Sequence, residues 1–182
     1  METMNAATIQ FQAACADARR DAIIDSLSGR SSDMPTLDEL RGNLPIGGQR
    51  TLGLRTIPLQ QIVGSEGRSN DFDRRFQPRS AHLQERWTRV ARAYDQGVAL
   101  PPITVFKLGE RYFVSDGNHR VSVARHRGQD QITAQVIELL VDGPLPAELA
   151  APVAASEPRG LMGALINAAR RALRPSSGLA TA

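Results

Sequence analysis

The sequence predicts a small mixed α/β (α+β) domain, and three observations predict it. Short β-rich runs alternate with helix-period segments through the middle of the chain. The apolar run 103–107 turns at Gly109-Glu110 and returns as 111–114, the pattern of a β-hairpin. The second arm then runs into Ser115-Asp116-Gly117-Asn118-His119-Arg120 and a helix, a strand–turn–helix junction of the kind that places sites in open α/β domains.

The elements follow in order. Residues 5–28 read as an amphipathic helix, with Phe11, Cys15, Ala18, Ala22 and Ile23 near helical spacing and Gly29 at its end. Residues 31–48 hold Pro35, Pro45 and three glycines, and read as a linker with one short helix at 37–41. Residues 56–59 predict a strand, with Pro58 favouring a sheet edge. The loop 64–68 and a polar stretch 69–76 follow. A helix is expected from Ser80 to about Gln96, with Leu83, Trp87, Val90, Ala91 and Tyr94 on one stripe, more suited to a core than to base stacking. Pro101-Pro102 leads into the hairpin, the junction helix runs to Gly128, and a last strand spans 132–139. Beyond it lie an Ala/Pro-rich linker, a basic amphipathic helix at 160–173 and a tail at 175–182 expected to be disordered. The expected division is therefore 1–49 for an N-terminal helix and linker, 50–141 for the domain, and 142–182 for the C-terminal linker, helix and tail.

Composition narrows the classes. With 41% hydrophobic and 23% charged residues, the chain of 182 residues suits a globular domain with tails. A net charge of +3 permits an anionic partner without demanding one. Cys15 is the single cysteine, which excludes an intramolecular disulfide and a multi-cysteine metal site. No secretion signal or membrane-length apolar run is visible, so a cytoplasmic location is the expectation. His82, His119 and His126 do not form a zinc pattern, and the metal ligands are left unassigned.

The junction carries the functional signal. Gly117 allows a sharp turn or a close ligand approach. Asp116 or Asn118 can cap the new helix. The first turn offers unpaired N–H groups, an anion site. His119 and Arg120 place cationic or protonatable groups where the helix dipole disfavours them, by about 0.3–1 kcal/mol each. A bound polyphosphate reverses that sign.

The motif order resembles the ParB/sulfiredoxin superfamily across about residues 55–138. The run 57–63, ending in Arg68, is similar to the opening strand and arginine-terminated loop of these domains. Leu100-Pro101-Pro102-Ile103-Thr104-Val105 is similar to their Leu-Pro-Pro-Ile strand, and residues 112–124 to their central box. That box reads G-E-R-R in ParB and G-C-H-R in sulfiredoxin. Asp71-Phe72-Asp73, Arg86-Trp87 and the Asp116-to-Arg120 run resemble bacterial ParB-like proteins of the ParB N-terminal, nuclease-like type. Sulfiredoxin's nucleophilic cysteine falls at Asn118, whose amide cannot serve as that nucleophile. The ParB arginine pair becomes His119-Arg120. Free-serine kinases of the superfamily carry an Asp-Gly-His-His box.

The resemblance implies a nucleoside triphosphate ligand, ATP or CTP, with hydrolysis or phosphoryl transfer as candidate chemistry. Arg68, Gly117, Asn118, His119 and Arg120 are the expected phosphate-binding set. Glu66, Asp116 and His119 are the catalytic candidates, Glu66 as base. Mg²⁺ is a candidate cofactor, with Asp71, Asp73 and Asp116 as carboxylates suited to it. The alternatives are a DNA-binding or nuclease-like accessory protein of the ParB type, or a non-catalytic interaction module. DNA and a second copy, paired through the terminal helices, are candidate partners.

Overall fold

A five-stranded mixed sheet forms the centre of the molecule, in the order β1-β5-β3-β4-β2. The computed structural model describes residues 6–42, 44–67, 70–145 and 147–150. The strands are β1 (Ile46–Pro58), β2 (Ile62–Ser65), β3 (Ile103–Leu108), β4 (Arg111–Asp116) and β5 (Gln131–Val141). β1 pairs antiparallel with β5, β5 parallel with β3, β3 antiparallel with β4, and β4 parallel with β2. The helices are α1 (Ala6–Leu27), α2 (Leu37–Arg41), α3 (Gln84–Asp95), α4 (Asn118–His126) and α5 (Ala147–Ala150). Among the described residues, no helix is long and apolar enough to cross a membrane.

Register gathers five strand ends on one side of the sheet. Pro58 at the end of β1 faces Gln131 at the start of β5. Ile103 at the start of β3 faces Ala134, and Thr104 faces Asp116 at the end of β4. Ser65 at the end of β2 faces Val114. The strand–helix junction therefore opens on the same side as the ends of β1 and β2 and the starts of β3 and β5.

The main core lies between this sheet and the helices. Trp87 is fully buried on α3, with Phe11 of α1 edge-on to it at 5.7 Å and His126 of α4 at 5.5 Å. Its indole N–H donates to Ser122 Oγ at 2.9 Å, so the one polar atom of the ring is satisfied. Leu83 and Ala91 are buried with it, and Val90 and Tyr94 pack at the margin, the stripe expected from helical spacing. A second core lies under α2 and α5, built on Leu37, Leu108, Phe113, Leu139 and Leu149.

Two features depart from the sequence-based layout. The packed body does not start near Arg50: β1 already begins at Ile46, and α1 contributes Ala7, Phe11 and Ala14 to the main core. The expected linker also contributes, through buried Met34 and Leu37. There Thr36 forms a reciprocal capping box with Glu39 at the start of α2. A buried ion cluster fastens α1 in place. Asp25 has no exposed surface and accepts hydrogen bonds from Arg74 at 2.9 Å and from both terminal nitrogens of Arg75. These arginines hold its carboxyl down at a pKa of about 2, with the Arg75 hydrogen bond the main cause. The expected C-terminal helix and tail lie outside the described residues.

Candidate functional site

β4 ends at Asp116, and α4 begins two residues later at Asn118. Gly117 makes the turn with φ 110° and ψ 20°, a region that strongly favours glycine. A Cβ there would lie 2.5 Å from Ile103 Cγ2 and 2.9 Å from its Cβ, so the turn is also pressed directly onto the start of β3. Gly117 itself occupies the N-cap position, and no side chain caps the helix. The capping role expected of Asp116 or Asn118 is therefore not taken up.

Arg120 differs most from its expected role. Its guanidinium donates to the carbonyls of Pro101 at 2.5 Å and Pro102 at 2.8 Å, and to Asp116 at 2.5 Å. Its side chain is only 12% exposed. These acceptors stabilise a cation in the first turn without any ligand, so the dipole argument no longer needs a phosphate at Arg120. The side chain works as a clamp between α4 and the lead-in to β3. Arg125 does the same further along α4, donating to the carbonyls of Leu59 at 2.8 Å and Ile62 at 2.5 Å.

Asn118 behaves otherwise. It is the first residue of α4, it is 6% exposed, and its side-chain oxygen is buried with no hydrogen-bond partner. A buried polar atom left so costs about 1–3 kcal/mol. The ring of His119, half-buried beside it, meets Phe72 edge-to-face at 5.2 Å.

The parallel pairing of β2 with β4 brings Glu66 to the same place. Its backbone N–H donates to the Val114 carbonyl at 2.9 Å. Its carboxylate accepts from Ser115 Oγ at 2.7 Å and from Arg41 at 3.2 Å. Glu66, Ser115, Asp116, Asn118 and His119 thus share one end of the sheet. Arg41 was not singled out from sequence, and the pairing of Glu66 with Ser115 follows only from the Ser65–Val114 register. Arg68 lies outside the described residues.

The expected carboxylate set for Mg²⁺ is not gathered. Asp71 accepts from His82 at 3.1 Å. Asp73 is buried, and one of its oxygens accepts the backbone N–H groups of Arg75 and Gln77, each at 2.8 Å. Burial pushes its carboxyl pKa up. Asp116, 68% exposed, stays at the junction beside Arg120. Among the described residues, no group of three or more metal-ligating side chains comes together.

A groove of about 290 Å³ adjoins the junction, between the end of α3 and the paired ends of β1 and β5, with Arg120 in its wall. The sequence matches no model of a known protein family and no curated protein.

Proposed function

We propose that the chain binds a phosphate-bearing nucleotide, a nucleoside triphosphate, with its phosphates at the amino end of α4. The observation that carries this reading is the amino end of α4, where Gly117 holds the N-cap position at φ 110° and no side chain caps the helix. Helix amino ends attract anions through their outward N–H groups and the dipole. The motif order resembling the ParB/sulfiredoxin superfamily supports the same ligand class.

The phosphate-binding set is narrower than the one expected from sequence. The backbone N–H groups of Asn118, His119 and Arg120 form the cradle, and the His119 imidazole stands beside it. Arg120 acts from behind, holding the turn and balancing the charge of Asp116. The exposed Asp116 carboxylate is the residue that would hold Mg²⁺ against phosphate oxygens. Glu66, already accepting the Ser115 hydroxyl proton in a hydrogen bond, is the group that would take a proton from an attacking hydroxyl or water.

A thermal-shift series with ATP, CTP, GTP and ADP, each with and without Mg²⁺, tests this reading. At a ligand concentration about 100 times Kd, stabilisation is about 2.7 kcal/mol, a rise in Tm of about 5–10 °C. Asn118→Asp places a carboxylate at the cradle and is expected to remove the rise. His119→Glu does so from a more exposed position and covers the case in which a buried carboxylate impairs folding. No shift with any triphosphate, or full shifts in both folded variants, would refute the proposal.

A further inference from the structure

We propose that the outward face of α1 pairs with α1 of a second copy of this chain, antiparallel, to make a twofold dimer. α1 is apolar on two opposite faces. One packs Ala7, Phe11, Ala14 and Ala18 into the fold. The other carries Ile9, Ile23, Ile24 and Leu27, exposed at 52%, 63%, 46% and 84%. The remaining exposed large apolar side chains among the described residues are scattered: Leu54 on β1, Leu140 on β5 and Val98 after α3. On α1, Ile9, Ala13, Ala16, Arg20, Ile23 and Leu27 recur at alternating steps of four and three residues, the spacing of a coiled-coil seam. That seam is about 27 Å long. Single exposed apolar residues need no partner, whereas a continuous stripe of this kind marks an interface. The buried Asp25 cluster and the Phe11–Trp87 contact hold α1 against the fold, so the seam is presented ready-formed.

One register matches the seam to itself. About a twofold axis at the level of residue 18, Ile9 meets Leu27 of the second copy, Ala13 meets Ile23, and Ala16 meets the stem of Arg20. The bulky Ile23 and Arg20 thus face small residues. Charge selects the same order. Arg20 stands in the middle of the seam, 53% exposed, and holds its own Asp17 at 3.0 Å. Antiparallel order sets it beside Asp17 of the second copy on the same edge of the seam, so two guanidinium and two carboxylate groups alternate across the axis. Parallel order would stack Arg20 on Arg20. The chain's own C-terminal segment offers a poorer cover. Residues 158–182 contain Arg159, Arg170, Arg171 and Arg174 and no acidic residue, so nothing in them answers the charge of Arg20.

Sedimentation equilibrium of the full chain from about 1 to 100 µM tests the pairing. The expected mass rises with concentration towards twice that of one chain. The double variant Ile23→Lys, Leu27→Lys is expected to weaken association at least tenfold. Its far-UV circular dichroism and its Tm at the lowest concentration stay unchanged, because both side chains are exposed in the single chain. A short thiol cross-linker reads the register in a Cys15→Ala background. Ala13→Cys mixed with Ile23→Cys is expected to give a linked dimer. Neither variant alone does so, since in this register each position lies about 15 Å along the helix from its own copy. A monomer at every concentration, whether the seam is bare or covered by the chain's own residues, overturns the proposal. So does a dimer that the two lysines leave intact, or preferential linking of Ala13→Cys to itself.

Discussion

Replacing Gly117 by alanine probes the junction at the atom that shapes it. Two costs add. At φ 110° an L-residue pays about 1–2 kcal/mol for left-handed backbone. The new methyl also meets Ile103 at 2.5 and 2.9 Å, and relieving such overpacking costs about 1–3 kcal/mol. The sum is about 2–5 kcal/mol, or a fall in Tm of about 4–20 °C for a chain of this size. Gly97, after α3, separates the two contributions. Its φ is 67°, and nothing lies within 4 Å of an added Cβ, so Gly97→Ala carries the backbone cost alone. Urea unfolding of the two variants, followed by far-UV circular dichroism, measures the difference. Gly117→Ala is expected to lose about 1–3 kcal/mol more than Gly97→Ala. Equal losses would refute the view that contact with Ile103 sets how α4 meets β4.

Three further outcomes follow from named contacts. The Asp25 carboxyl titrates at about 2 in the fold against 3.8 in the free state, so its contribution is fully present above about pH 4 and fades as pH falls towards 2. That loss amounts to about 2 kcal/mol. Asp25→Asn should flatten this acid limb in urea titrations between pH 2 and 5, while costing about 3–5 kcal/mol at pH 7 because Arg75 loses its buried counter-charge. Arg120→Ala leaves two carbonyls and Asp116 without their donor and should cost about 1–3 kcal/mol in chemical unfolding. Arg120→Lys should recover only part of this, since an ammonium cannot reproduce the planar fork. If Glu66 is the base, Glu66→Gln should lower any triphosphate hydrolysis by about 10²–10⁴-fold, measured as phosphate release, with nucleotide affinity unchanged. Unaltered turnover would remove Glu66 from that role.

Periodicity made α3 readable, because Leu83, Trp87 and Ala91 recur on one face and that face is the buried one. The hairpin was equally plain, with Gly109 at positive φ in its turn. The first ten residues of β1 were not. This is an edge strand whose outer residues are mostly exposed, so alternation is weak, and its extended form comes from pairing with β5 across residues Ile46 to Pro58. The role of α1 was hidden for another reason. Asp25 has no local signal that sets it apart, because its partner Arg75 lies fifty residues downstream. At the site, Gly117 and the helix start could be located from sequence. The Asp116–Arg120 pair has a local signal too, opposite charges four residues apart at a helix start. The Glu66–Ser115 contact depends on strand register and had no local signal.

The disposition of the arginines bears on both the composition and the site. A basic chain invites a reading in which guanidinium groups face a phosphate backbone, yet the junction's own arginines are engaged inward. Arg120 ties the start of α4 to the lead-in of β3, and Arg125 ties its last turns to the carbonyls of Leu59 and Ile62. Arg125 also lies over the Phe76 ring at 4.8 Å. Arg74 and Arg75 bind the segment around Asp73 to Asp25 of α1, and the same segment carries Phe72, whose ring meets His119 edge-on. The amino end of α4 is thereby held from the lead-in to β3 and, through Phe72, from α1, while its last turn is held from the β1–β2 turn. A backbone cradle needs this rigidity, because its N–H groups cannot reorient one by one as side chains do. On the proposed reading, fixing them during folding would spare a phosphate ligand the ordering cost on binding, so arginines that do not touch the ligand would still strengthen its binding.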